Sequence, residues 1–299
     1  MTDSRGQGEA LATWLLWGLV SLAALATYSR LEPSQLYHVS VAGIRGGLGR
    51  VVVLLNFPFA LVAIALALVA LAVLPRRAWW FGGPAIALCA VVAWPGVVQQ
   101  ADLDVKPVNT LPALGVALVA GLTAAATMRV GARLASHAPW HSGRTVLAAV
   151  ILLVSLPWLA AELGVYLPGD VFLGEELWRE PDGELLSAVH YGRHHGFDGS
   201  LLVVSALLLS RFHAGGRVRA VLTAYLGLML AYGSVNMVQD FWGEQVVKRG
   251  WVDSSIPSAL VPRLHWIWSL ILALAVLFTL AFRAEQRRRH SSRRVILGG

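Results

Sequence analysis

The sequence predicts an all-α fold: a polytopic integral membrane helix bundle of about eight transmembrane helices, with both termini cytoplasmic. Three observations carry this expectation. The 299-residue chain is 57% hydrophobic and only 14% charged, with a mean hydropathy of +0.63, whereas soluble domains carry about 25% charged residues to cover a water-facing surface. Its apolar residues fall into runs near the roughly 20 residues that a bilayer crossing takes. Its basic residues gather in alternate loops, the bias that orients membrane helices.

Eight runs qualify in chain order: 10–29, 51–74, 84–100, 111–130, 145–167, 191–210, 218–240 and 264–282. The first ends near Ala24-Leu25-Ala26, which resembles a secretion cleavage site. Its apolar run is too long for a signal peptide, and MTDSRGQGEA ahead of it lacks a basic leading region, so an uncleaved helix is expected. The third run is short and contains Trp94-Pro95-Gly96, so a kink is expected there. The basic loops PRR (75–77), RVGARLASHAPWHSGR (129–144) and RFHAGGRVR (211–219), and the tail 283–299, are assigned to the cytoplasmic side. The acidic or mixed loops 101–110, 168–190 and 240–263 then lie outside. The first outer loop departs from the pattern, because it holds Arg30, Arg45 and Arg50. Tryptophans near the span ends, among them Trp79, Trp80, Trp158, Trp178, Trp251 and Trp266, fit the aromatic belts of a membrane interface.

The chain reads as one transmembrane domain over 1–299, without internal repeat or separate soluble unit. The net charge of +7 owes much to the tail RAEQRRRHSSRR, which reads as an anchor beside anionic lipid, so no nucleic-acid partner is expected. Cys89 is the single cysteine, which excludes an intrachain disulfide and a cysteine metal cluster. Arginine outnumbers lysine, which occurs only at 106 and 248, and Ala, Gly, Val and Leu dominate the apolar positions. That usage points to a bacterium of high GC content, and hence to a bacterial inner membrane.

The functional signal lies in HYGRHHGFDG, residues 190–199. The apolar run that follows, SLLVVSALLLS, makes only about 16 Å of helix and cannot cross by itself. The helix is therefore expected to run back through the histidines, with His190, His194 and Asp198 in one stripe at i, i+4 and i+8. The seventh span emerges at GSVNMVQDFWGEQ, where Asn236, Asp240 and Glu244 repeat the same spacing. Consecutive helices joined by a short loop pack antiparallel, so the two stripes meet at one depth. Glu162, Asn56, Gln99, Gln100, His38 and His265 fall on the same side, and the inner halves of the spans offer little beyond Ser and Thr. Charge inside a bilayer costs about 2.5–3.5 kcal/mol per group on insertion scales and is kept where it serves a cavity. An outward-facing polar cavity is the expectation.

His190, His194, Asp198 and Asp240 are the expected metal ligands, a donor set suited to zinc, iron or manganese. Glu244 or Glu162 would act as general base. His195, Arg193, Asn236, Arg249 and Asn56 would orient the ligands or touch the substrate. The leading expectation is a membrane-embedded metal-dependent enzyme, a hydrolase or transferase acting on a lipid or lipid-linked substrate. A transporter or channel, using the outer carboxylates for a cation or protons, is the second. A non-catalytic membrane assembly partner is the third. IRGGLGR (44–50) is rich in glycine and offers backbone N–H groups to an anion, without the strand context of a nucleotide-binding loop.

HAPWH (137–141) with HYGRHH (190–195) resembles the histidine boxes of membrane desaturases and hydroxylases, which would imply a di-iron centre. A third box is missing, and the two pairs fall on opposite sides of the membrane. The His-x3-His pair also resembles the zinc site of the alkaline ceramidase and progestin/adiponectin receptor superfamily, which carries its pair at the cytoplasmic end of the last span. EELWR (175–179) is similar to the glutamate pair of CAAX-type membrane proteases, with its arginine one position early. The remaining motifs of these families are missing, and HExxH and GxSxG do not occur, so the sequence assigns the chain to none of them.

Overall fold

A computed structural model describes residues 7–99, 102–134, 139–165, 167, 177–179, 185–187, 190–212, 216–260 and 264–297. Gln100, His137 of HAPWH and Glu175-Glu176 of EELWR lie outside them. The described helices are α1 (Gly8–Arg30), α2 (Gly43–Leu54), α3 (Ala60–Leu71), α4 (Trp79–Ala90), α5 (Thr110–Val130), α6 (Pro139–Val154), α7 (Leu156–Glu162), α8 (His195–Leu209), α9 (Gly216–Trp242) and α10 (Trp266–Leu297). A small antiparallel hairpin, β1 (Leu177–Arg179) with β2 (Leu185–Ser187), sits between α7 and α8. The protein is an all-α membrane bundle.

Each of the eight apolar runs is occupied by helix, but their lengths differ. Five segments are long and apolar enough to cross a membrane: Gly8–Arg30, Gly43–Leu71, Pro107–Val130, Gly216–Val247 and Trp266–Gln286. Ser142–Val154 and Leu156–Glu162 make a sixth if the pair, bent by 52°, is one span. The bend falls at Pro157, which has no N–H to continue the helix. Segment Gly43–Leu71 is itself broken where Phe57 leaves helical geometry (φ −156°, ψ 129°) ahead of Pro58. The runs expected at 84–100 and 191–210 form shorter helices of 12 and 15 residues. Fifteen residues make about 22 Å, short of the roughly 30 Å hydrocarbon core.

The contacts at the two ends of the bundle show how the chain is laid out. At one end Gln7 N–H donates to Gly131 C=O (2.9 Å), Arg211 faces Glu9 (3.9 Å) and Arg144 pairs with Glu285. At the other, Tyr28, Glu162 and Arg193 come together, and Ser40 N–H donates to Asp104 (3.2 Å). Helices α1, α5, α8, α9 and α10 each run from one of these ends to the other, and the broken segments α2–α3 and α6–α7 do the same. Two of the three arginines that break the charge pattern of the first outer loop are held by protein. Arg30 donates to the Leu163 carbonyl (2.6 Å), and Arg50 is buried.

The core centres on α3, whose apolar residues are covered almost all round, and on the α8–α9 pair. A Cβ on Gly199 would lie 2.4 Å from Gly233 C=O, and one on Gly233 would lie 2.6 Å from Gly199 C=O. These glycines lie inside helices and let two backbones touch, the usual role of small residues between membrane helices. The glycines of IRGGLGR serve packing too: a Cβ on Gly47 would sit 2.6 Å from the Leu25 carbonyl of α1.

A candidate metal centre in a polar cavity

Helix α8 starts at His195; His194 ahead of it is extended and the residues before it are non-helical. The cause is tertiary. Gly192 takes φ +91° because its Cα lies against the Tyr28 ring, where a Cβ would be 2.5 Å from the hydroxyl oxygen. Its N–H donates to the Ala161 carbonyl (2.8 Å), and Tyr191 pairs with Leu36 in a short parallel bridge. The expected single stripe of His190, His194 and Asp198 along one helix is therefore not what forms. His190 and His194 lie on a non-helical segment, bent at Gly192, that leads into the helix. Non-helical backbone of this kind is tolerated in a membrane protein when protein covers it, and Arg193 and His194 are both buried.

On the facing helix, α9 gives way after Trp242 to one wider turn over Gly243–Val247, in which Lys248 N–H donates to Gly243 C=O (2.9 Å). Such turns insert a residue and re-aim the side chains beyond them. Glu244 lies in this turn and points at His194.

The result is a three-residue group. One ligand atom each from His190, His194 and Glu244 lie within 4.8 Å of one another. His194 Nδ1 is 3.3 Å from Glu244 Oε2 and 3.9 Å from Asp240 Oδ2. Its Nε2 is 2.9 Å from the His190 carbonyl, to which it donates, which leaves Nδ1 as the nitrogen a metal would take on displacing its proton. His190 Nδ1 likewise faces the Tyr191 carbonyl (2.9 Å), which leaves Nε2. Backbone carbonyls holding the far nitrogen of each ring are what orients metal-binding histidines. The rings of Tyr37, His190 and His194 form one stack, at centroid distances of 4.5 and 4.3 Å. Burial, aided by charge on His194, pushes His190 down to about 3, so it is neutral at ordinary pH.

The expected ligands, bases and orienting residues have definite places. Asp240 is fully buried, with Oδ1 2.8 Å from His195 Nδ1 and Oδ2 toward His194. His195 Nε2 also meets Gln239 Oε1, and that amide is turned by its own donation to the Ile256 carbonyl (3.3 Å). His195 is thus the orienting partner of Asp240 and has no nitrogen left for a metal. Asp198 turns to Arg193, which also faces Glu162 (3.7 Å); this buried cluster stands beside the three-residue group and outside it. Asn56 lines the cavity with its Oδ1 buried and unbonded. Asn236 donates to the Tyr232 carbonyl (2.9 Å) one turn deeper, and Arg249 is half-buried outside the cavity lining.

Sequence reasoning singles out neither Tyr37 nor Gln239 and reads Arg50 as a loop cation. Arg50 had one visible mark, a charge at the threshold of the apolar run VVVLLN. All of these groups open onto one cavity of about 230 Å³, rimmed by Asp102, Asp104, Lys106 and Lys248. Lys248 reaches Glu244 (3.3 Å), and Lys106 reaches Asp102 (3.1 Å). Comparison of the chain with protein-family models, curated proteins and solved structures returns no match.

Proposed function

We propose that the chain is a membrane-embedded, metal-dependent hydrolase or transferase of a bacterial inner membrane, with its site on the outer side and a lipid or lipid-linked substrate. The observation that carries this reading is the convergence of His190, His194 and Glu244, each fixed from behind by a carbonyl or by Lys248. Two imidazoles and one carboxylate suit zinc, iron or manganese. A metal held there lowers the pKa of a bound water to about 7.

The chain's own residues supply the rest. Asp240 faces the same side of His194 as Glu244 does, and it is backed by His195. It is placed to take the proton of an attacking water, while His195 holds the carboxylate through Nδ1 and is itself fixed by donating Nε2–H to Gln239 Oε1. In this allocation Glu244 is a ligand and Asp240 the base. Asp198 and Glu162 position Arg193.

Elemental analysis of the purified, monodisperse protein tests the reading. The wild type is expected to carry close to one equivalent of a transition metal. Glu244→Gln and His194→Ala lose it, whereas Asp198→Asn keeps it, because that carboxylate serves Arg193. A folded wild type without metal ends the proposal.

A further inference from the structure

A second cavity, of about 300 Å³, adjoins the polar one. It is lined by Leu61, Ile64, Leu202, Leu228, Met229 and Trp268 among others, and it is almost wholly apolar. Phe57, Val98 and Leu260 line both cavities, so the two meet at those residues. Helix α9 and the turn beyond it set their order. Tyr225, Leu228, Met229 and Tyr232 face the apolar cavity, and Gln239, Asp240, Gly243 and Glu244 face the polar one. Leu228 and Glu244 are sixteen residues apart, about 24 Å along the axis. A polar head site above a long apolar slot has the proportions of an amphiphile lying along the bilayer normal.

The polar cavity also holds a cation that, among the described residues, no carboxylate contacts directly, although Glu162 and Asp198 are near enough to feel its charge. Arg50 is 93% buried (7% exposed). Its Nε and Nη1 have no hydrogen-bond acceptor, and among the described residues no carboxylate pairs with it, though its guanidinium lies 5.1 Å over the Tyr28 ring. Arg193, Lys106 and Lys248 in the same lining are each paired with acids. A buried guanidinium with unmet donors on both of its edges matches the oxygens of an oxyacid group. Leaving such donors unmet in a buried site is unfavourable, and a bound anion would satisfy them.

We infer that the two cavities together bind a single lipid, with an anionic oxyacid head on Arg50 beside Asn56 and a hydrocarbon chain in the slot down to Ile64 and Tyr225. This rests on the proposed lipid chemistry for the substrate class, but the binding itself requires no metal.

The test uses the full-length protein in phosphatidylcholine vesicles with a hexadecyl phosphate bearing a diazirine at mid-chain, and maps the crosslinks by peptide mass spectrometry. Label is expected mainly on slot residues of α3 and α9. Leu228→Trp, which fills the slot, reduces that labelling at least tenfold while metal content stays at the wild-type level. Arg50→Gln reduces it as strongly, Arg50→Lys restores part of it, and the matching hexadecanol probe labels the slot weakly. Label spread over outward-facing residues such as Leu15, Leu19 and Leu272, or equal labelling by phosphate and alcohol, overturns the inference. A metal-free protein that still labels the slot separates failure of the metal reading from failure of this one.

Discussion

At the scale of single residues, the site depends on how buried charges choose partners. Arg193 lies between Glu162 and Asp198, and its backbone N–H donates to the Tyr28 hydroxyl (3.0 Å). Removing one member of a buried ion cluster strands the others, at about 3–5 kcal/mol. Arg193→Met is therefore expected to lower the thermal unfolding midpoint sharply in detergent. The triple variant Arg193→Met, Glu162→Gln, Asp198→Asn is expected to recover most of that loss. An Arg193→Met protein as stable as the wild type would show that the cluster holds nothing together. The residue types were legible in the sequence, since intramembrane carboxylates and histidines stand out against an apolar background. The pairing was not. Asp198 meets Arg193 because the chain is non-helical up to His194, and helical spacing alone would have sent it toward His194.

At the scale of elements, the helices were readable because an apolar run needs nothing but its own length to announce itself. Two local departures were not readable. The late start of α8 is imposed by Tyr28, 164 positions before Gly192 (192 − 28), through a contact that no local pattern encodes. The wide turn at Gly243–Val247 leaves the i, i+4, i+8 spacing intact on paper while rotating Glu244 toward His194. The glycine contact lower down sets how closely α8 approaches α9, and so the approach of His194 to Glu244. Gly199→Ala must part α8 from α9, since its Cβ would lie 2.4 Å from a carbonyl oxygen that cannot swing away. Overpacking of this kind costs about 1–3 kcal/mol, and here it is expected to loosen the His194–Glu244 approach as well. Gly18→Ala on α1 is the control, because nothing lies within 4 Å of its added Cβ, and replacing a mid-helix glycine stabilises by up to about 1 kcal/mol. Thermal unfolding of the two variants side by side checks this; equal behaviour would remove the close contact as the reason for glycine at 199.

At the scale of the molecule, the two ends differ in what they carry. One end gathers Arg76, Arg77, Arg129, Arg133, Arg144 and Arg211, and the other holds the cavity with its acidic rim at Asp102 and Asp104. Arg30 and Arg50, which obscure this division in the sequence, are tied to the Leu163 carbonyl and buried over Tyr28, respectively, so neither is a free loop charge that would bias insertion. Counting loop arginines cannot make that distinction, because it depends on which of them the fold has already used. Positive charge stays on the cytoplasmic side during insertion, so the polar cavity should open to the exterior. In a Cys89→Ala background, Asp102→Cys and Asp253→Cys, at exposed positions near the cavity end, are expected to react with a membrane-impermeant maleimide on intact cells. Arg76→Cys and Arg133→Cys, exposed at the basic end, should react only after permeabilisation. The reverse pattern would place the cavity in the cytoplasm and require a substrate delivered from that side. Labelling of both sets on intact cells would mean that the chain inserts in two orientations.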